Sequence, residues 1–594
     1  MPGLDGLRAL AVLAVIAYHL NLKGASGGFL GVGLFFVLSG YLITDLLTVQ
    51  WSVTGRIDLK DFWLRRARRL LPALFVMLTG VVVWVMLFAP ARLTSLGEDV
   101  LAALFYVSNW WLIFHQVSYF SSFGPPSPLG HLWSLAVEEQ FYLVWPVLLW
   151  FGLRYIPRRG RLVVLILAGV LASVMAMALI YQPGTDPSRV YYGTDTRAFA
   201  LLIGAALALV WPSRKLSGAL SFRARLALDL VGGAALLIVL MMIWQTNEYE
   251  LFLYRGGLLL FSLAAAIVVA VLAHPASRFG KFFGQQPLRW LGVRSYGIYL
   301  WHYPVIALTS PVVNTGGLDI MLALQQLAAS ITLAALSWYF IEKPIRNGAW
   351  KRWRGQIYNL DQRRKVMSVR GWVTVVGLRV ILGISCLTIV GIIFINDTHA
   401  NVPALGSGGA NPTSLARPGS NIPGVSQGSK TESDTTPLEI GKGVTVIGDS
   451  VMVGVEPDLK KLLPGIVVSA EIGRQMYQAQ NAVDQLKAQG DLGDRVVIEL
   501  GTNGPFTEEQ LRALLSSLGQ VQQIVLVNTR VPRPWEDVVN QTLAKVAVSY
   551  PHTTLVNWYQ ASSSHNAYFY QDGVHLTPTG IQAFASLVVK TINP

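Results

Sequence analysis

The chain has 594 residues, 53% of them hydrophobic and only 13% charged, against about 25% charged in ordinary globular domains. That balance favours a membrane protein over a wholly soluble fold, and the net charge of +14 does not signal nucleic acid, because Lys and Arg cluster between apolar runs as short cytoplasmic loops do. A single cysteine, Cys386, excludes a disulfide framework or a cysteine-rich metal site.

In chain order, the first run is Leu4–His19, LDGLRALAVLAVIAYH. It lacks the basic leader and small-residue cleavage site of a signal peptide, so it reads as a retained helix. Arg8, near Asp5, and His19 lie eleven residues apart, on one helical face at ~16 Å. An ionisable group deep in a bilayer faces a polar cavity or partner; the alternative is a histidine hydrogen-bonded in the bundle without chemistry. Further apolar runs lie near 28–49, 70–90, 131–153, 162–181, 195–211, 227–245, 256–273, 294–312, 320–341 and 374–395. A polar-interrupted stretch, 98–115, holds Asn109, Trp110, Trp111 and His115.

Basic clusters follow at Arg56–Arg69, 154–161, 212–226 and 343–370. Excess Lys and Arg mark the cytoplasmic side, and all four fall there only if 98–115 does not fully cross. The expectation is an α-helical bundle of eleven spans, N-terminus inside and residue 396 onward outside, with 98–115 interfacial or re-entrant. The alternative is that 98–115 spans and another weak segment does not. Glu138 and His19 both fall toward the outer half of their spans, so they are expected to meet, the carboxylate orienting the imidazole. Asp195, Arg197 and His302 suit ligand contact or helix-to-helix pairing.

Residues 397–436 are rich in Gly, Ser, Pro, Thr and Asn, as in a flexible tether. From 437 to 594 the pattern alternates. Strand-like runs at 444–448, 466–470, 495–500, 523–529 and 554–558 are separated by helical stretches such as 507–518, 537–549 and 578–592. This predicts an α/β domain with a parallel sheet covered on both faces. Gly448-Asp449-Ser450 follows the first strand, which puts Ser450 at the carboxyl edge of the sheet, where open α/β sheets place their sites. Asp572-Gly573-Val574-His575 precedes the last helix. His575 can take the Ser450 proton while Asp572 orients its ring. The N–H groups of Ser450 and Gly473 and the Asn503 side chain can donate to an oxyanion. Each motif alone also suits an ordinary turn, cap or loop; four in order at strand ends make the site.

This pattern resembles the SGNH hydrolase family, whose named residues would be Ser450, Gly473, Asn503 and His575, with Asp572 completing the triad. The GRQ at Gly473–Gln475 resembles the version in peptidoglycan O-acetyltransferases. Residues 1–346 resemble the acyltransferase-3 family through Asp5-Gly6-Leu7-Arg8 with His19, GGFLGVGLFFVLSGYLIT (Gly27–Thr44) and RRARRLLP (Arg65–Pro72). WSLAVEEQFYLVWP (Trp133–Pro146), SYGIYLWHYP (Ser295–Pro304) and YFIEKP (Tyr339–Pro344) extend the match. That resemblance implies acyl transfer from cytoplasmic acetyl-CoA to an extracytoplasmic acceptor, with Arg8 and His19 essential. Arg65, Arg66, Arg68 and Arg69 would lie near the donor, where they can hold its phosphates; basic juxtamembrane clusters also set topology or touch anionic lipid.

The combination looks like a peptidoglycan O-acetyltransferase in the cell membrane, with its C-terminal domain outside. Its partners would be acetyl-CoA, the bilayer and peptidoglycan glycan strands, acylated by analogy at the 6-hydroxyl of muramic acid through a Ser450 acetyl-enzyme. No permanently bound cofactor and no metal are needed by this chemistry. The rival readings are O-acylation of another surface polysaccharide or a secreted metabolite, a membrane-anchored acetyl esterase, and a transporter.

Overall fold

The computed structural model describes residues 1–346 and 440–592, apart from 23, 116, 120–126, 157, 183–185, 249, 311–318, 534 and 571. The eleventh expected span (374–395), Cys386, the tether 397–436 and all but the start of the basic segment 343–370 lie outside the described residues. The other ten apolar runs each fold as a helix. These are α1 (Pro2–His19), α2 (Gly31–Thr54), α3 (Leu59–Phe88) and, after two short helices, α6 (Trp133–Tyr155). Helices Arg159–Ile180, Thr194–Val210, Phe222–Gln245, Leu258–Ala273, Ser295–Thr309 and Ile320–Ser337 follow.

Among the described residues, seven helices are long and apolar enough to cross a membrane by length and composition. Three others, α1, α6 and Ser295–Thr309, fall outside that seven. They are the ones that carry Arg8, His19, Glu138, Glu139 and His302: Ser295–Thr309 is only 15 residues long, and α1 and α6 give up apolar residues to line a polar site.

Two sequence expectations change here. The 98–115 stretch is not one helix: α4 (Leu93–Leu104) and α5 (Ser108–Phe114) are separated at Tyr106, which has a left-handed φ of 54°. Asn109 in α5 is buried and structural, its amide donating to the Tyr192 carbonyl (3.1 Å) and Thr194 hydroxyl (3.0 Å) and its carbonyl accepting from Gln140 (2.9 Å). The helix expected from residue 70 starts at Leu59, so the arginine cluster is helical rather than a loop. Asp58 caps it by accepting from the Asp61 N–H, and Asp61 pairs with Arg65 one turn on, local interactions that extend a helix past its apolar stripe.

The α2 crossing with Thr194–Val210 is set by glycine. A β-carbon at Gly40 would collide with the Leu201 carbonyl oxygen, and one at Gly204 with the Val37 carbonyl oxygen. Such reciprocal small residues let membrane helices approach backbone to backbone. Gly40→Ala or Gly204→Ala therefore destabilises the bundle by about 1–3 kcal/mol, read as a lowered Tm in detergent; an unchanged Tm contradicts the crossing.

In the C-terminal part the expected parallel sheet forms from β1 (Val444–Gly448), β2 (Val467–Ala470), β3 (Arg495–Glu499), β4 (Gln523–Val527) and β5 (Thr553–Val556), in the order β2-β1-β3-β4-β5. Each strand lies within three residues of its expected bounds. β1 is buried along its whole length, as a central parallel strand covered on both faces must be. The helix Pro578–Ile592 packs on the helix Ser450–Leu462, which brings the last described helix of this domain beside its first.

Candidate active sites

α1 carries two polar levels. At the Arg8 level a cavity with about 630 Å³ of empty space, counting its open mouth, is lined by Arg8, Arg66, Arg69, Glu138, Glu139 and Tyr142, and by Ser134 and Tyr299. Arg8 stands 4.0 Å from Asp5 one turn away. Glu138 accepts from the hydroxyls of Ser39 and Tyr142, which are themselves 2.8 Å apart. The guanidinium of Arg66 lies 4.7 Å from the Tyr142 ring centre. Of the four arginines expected near a donor, only Arg66 and Arg69 line the cavity. Arg65 is exposed and paired with Asp61, and Arg68 is exposed. Helical phase explains the split: 66 and 69 share a face of α3 with the buried Phe62 and Ala73, while 65 and 68 do not.

At the His19 level, three imidazoles and several phenols gather. The His302 Nδ1 is 2.6 Å from the Tyr299 carbonyl oxygen, and a carbonyl can only accept, so Nδ1 carries the hydrogen. In the neutral ring Nε2 is then a lone pair, and it faces His19 Nδ1 at 3.2 Å. His19 Nδ1 also faces the Val15 carbonyl at 2.9 Å, so it too carries hydrogen. His19 Nε2 is thereby the basic nitrogen, 3.1 Å from the Tyr119 hydroxyl. The His131 and His302 ring centres are 5.5 Å apart, and the Tyr303 ring centre is 4.8 Å from that of His19. The two levels meet at Ser134 and Tyr299, whose hydroxyls are 2.5 Å apart and line the cavity, while the Tyr299 and His302 ring centres are 5.2 Å apart.

The expected His19–Glu138 meeting does not occur: His19 meets His302 and Tyr119, and Glu138 joins Arg8. α6 begins at Trp133, with His131 just before it, so Glu138 stands about two turns, ~10 Å, along the helix from the histidine level. Asp195 is held by Arg189 through two hydrogen bonds (3.1 and 2.8 Å), a helix-to-helix pairing apart from the cavity. Arg197 is buried between Phe36 and Tyr191, 5.0 Å from the Tyr191 ring centre, and does not line the cavity. Tyr119, His131 and Glu139 were not singled out from the sequence; only the EE doublet at 138–139 offered a signal.

In the α/β domain the motif residues gather at the carboxyl edge of the sheet. Asp449 accepts from the Val451 N–H at 3.0 Å and caps the helix that Ser450 begins. Gly473 adopts φ +80°, a left-handed turn that glycine takes without strain. The next residue, Arg474, is buried and donates to the Gly448 carbonyl at 3.2 Å, and the Asn503 amide donates to the Arg474 carbonyl at 3.4 Å. These bonds tie the ends of β1, β2 and β3 together, bringing Ser450, Gly473 and Asn503 to one place.

Asp572 Oδ1 accepts the N–H groups of Val574 (2.9 Å) and His575 (3.0 Å), and its Oδ2 accepts from His575 Nδ1 at 2.6 Å. Donation through Nδ1 leaves His575 Nε2 as the basic nitrogen. Burial pushes the Asp572 carboxyl up, but these hydrogen bonds outweigh it and hold the group below its ordinary value. Among the described residues no hydrogen bond joins Ser450 Oγ to His575, a contact that in unliganded sites often tightens only with substrate.

The acyltransferase domain signature (Acyl_transf_3) matches residues 1–342. The "Peptidoglycan O-acetyltransferase OatA" of Listeria monocytogenes is 43% identical across 100% of this chain and 98% of its own length. The "Putative peptidoglycan O-acetyltransferase YrhL" of Bacillus subtilis is 41% identical over 100% and 98%. An "O-acetyltransferase OatA" of Staphylococcus aureus is 37% identical over 100% and 96%. The solved catalytic domain of a Streptococcus pneumoniae peptidoglycan O-acetyltransferase aligns with 25% of this chain and 92% of that one, at 22% identity and a TM-score of 0.24. The chain belongs to the acyltransferase-3 family and is a multi-pass membrane acyltransferase.

Proposed function

We propose that this protein O-acetylates peptidoglycan, taking acetyl groups from cytoplasmic acetyl-CoA and delivering them outside through Ser450. What supports the reading is that one chain holds two candidate nucleophile-and-base sets: the Tyr119 hydroxyl 3.1 Å from His19 Nε2 in the bundle, and, in the α/β domain, Ser450 at the end of β1 together with the hydrogen-bonded His575–Asp572 pair. The names of its full-length relatives supply the substrate class. In this reading residues 1–346 form the acyltransferase unit, 347–396 a basic segment and last span, 397–436 a tether, and 437–594 the extracytoplasmic domain.

Arg66 and Arg69 bind the anionic donor at the cytoplasmic end, and the thioester reaches past Tyr299. His19 Nε2 takes the Tyr119 proton as that oxygen attacks the acetyl carbonyl, and coenzyme A leaves as the thiol. The acetyl ester then passes to Ser450 Oγ, with His575 moving the proton and Gly473 and Asn503 donating to the oxyanion. A muramic acid 6-hydroxyl attacks that acetyl-serine and regenerates Ser450.

Helical phase sorts the arginines. Arg69→Ala raises KM for acetyl-CoA about tenfold or more, since one charge-assisted phosphate contact contributes about 1.5–3 kcal/mol, while Arg65→Ala and Arg68→Ala stay within about twofold. Kinetics on the purified chain check this; equal losses at all four positions contradict the donor site. Mass spectrometry of wall glycan from cells with and without the protein tests the function itself. Acetyl esters on muramic acid that persist unchanged without it rule the reading out.

A further inference from the structure

Two carboxyl groups lie buried behind Ser450, and the scheme above uses neither as acid or base. The β1–β3 register sets Gly448 opposite Glu499, so the Glu499 side chain, only 3% exposed, lies under the nucleophile turn beside the fully buried Asp449. Glu499 Oε2 accepts from the Asp449 N–H and Oε1 from the Thr502 hydroxyl, each at 3.4 Å, and Thr502 contacts Thr529 beyond β4 at 3.2 Å. Asp449 Oδ1 caps the Ser450 helix, and among the described residues its buried Oδ2 makes no hydrogen bond of standard geometry, while Thr502 and Asn503 donate toward the carboxyl and draw its pKa down against burial. The cation on this turn, Arg474, directs its guanidinium to the Gly448 and Ser469 carbonyls and to Glu471 rather than to either carboxyl. Asp572 and His575 are occupied with each other.

Two adjacent carboxyl groups out of water cannot both ionise. Asp449 sits at a helix N-terminus, which favours its charged form, so the retained proton belongs to its neighbour. We propose that Glu499 is the positioning residue of the nucleophile turn: its neutral carboxyl shares a proton with Asp449 and holds Ser450 in register with its catalytic partners. Burial first, and then the Asp449 charge, push Glu499 well above the ordinary carboxylate range, and burial lifts Asp449 to about 6. Because the folded state binds more protons than the unfolded one, this contribution weakens as pH rises from the ordinary Glu range toward the folded value. Loss of the shared proton opens the turn.

The inference rests on Ser450 as nucleophile, and its test uses the full chain in detergent with 4-nitrophenyl acetate as probe, from mildly acidic to alkaline pH. Glu499→Gln, the uncharged isostere, keeps neutral-pH turnover within about threefold of the unchanged protein and loses the alkaline decline. Glu499→Ala falls at least about tenfold at every pH. An infrared difference between the unchanged protein and Glu499→Gln shows a protonated carboxyl band at neutral pH. An alkaline decline unchanged in Glu499→Gln, Glu499→Gln as damaged as Glu499→Ala, or no such band overturns the proposal. Turnover that survives in Ser450→Ala breaks the nucleophile assignment instead, and the infrared band still reports on the shared proton.

Discussion

Ser450→Ala lowers ester turnover by the α/β domain at least ~10³-fold, about 4 kcal/mol of transition-state stabilisation. The expectation follows from where the structure puts the residue. Ser450 opens a helix directly after β1, where Arg474 donates to the Gly448 carbonyl and Asn503 donates to the Arg474 carbonyl, so the proposed oxyanion donors would be held before substrate arrives. Donors and binding alone leave a residual rate when a nucleophile is removed, so a small remainder is consistent. In cells the same variant loses acetyl esters from wall glycan, while acetyl-CoA binding to the bundle is unaffected. Colorimetric assay of the purified chain together with mass spectrometry of digested wall reads both. Turnover within tenfold of the unchanged protein removes Ser450 from the mechanism.

His19→Ala has the opposite signature. A positioned general base contributes about 10²–10⁴-fold, so transfer from acetyl-CoA to glycan falls by at least ~10²-fold, yet hydrolysis of a soluble ester at Ser450 is unchanged. His19→Gln does not rescue, because the amide nitrogen or oxygen that replaces Nε2 cannot take up the Tyr119 proton. His302→Gln is milder, since its ring only orients His19 through the 3.2 Å contact. Both are measured on full-length protein in liposomes with labelled acetyl-CoA. Parallel loss of the two activities in His19→Ala would indicate a folding defect and leave His19 without a chemical role.

The parts legible in the sequence were those fixed by local pattern. GDS after an apolar strand, GTN after another and DGVH before a periodic helix each report a strand or helix end, and ends are where an α/β sheet builds its site. The pairing of Glu499 with Asp449 was invisible because it arises from strand register, which a single sequence does not state. In the bundle, residue depth was inferred from the centres of apolar runs. That inference misplaces Glu138, because α6 starts after His131 and carries the acidic pair inward to Arg8. It also treats Arg56–Arg69 as a loop, although Asp58 and Asp61 extend α3 to Leu59. Once that segment is helical, the division of Arg66 and Arg69 from Arg65 and Arg68 follows from spacing alone. Tyr119 gave no signal, since it follows an irregular stretch and gains meaning only from the His19 nitrogen it faces.

The most direct test is vectorial transfer. Full-length protein is placed in sealed liposomes with acetyl-labelled acetyl-CoA on the arginine side and a chitooligosaccharide on the other. The account predicts label on the oligosaccharide with the unchanged protein, and none with either His19→Ala or Ser450→Ala. Label that still crosses to sugar in His19→Ala, or that requires acetyl-CoA on the Ser450 side, would contradict it.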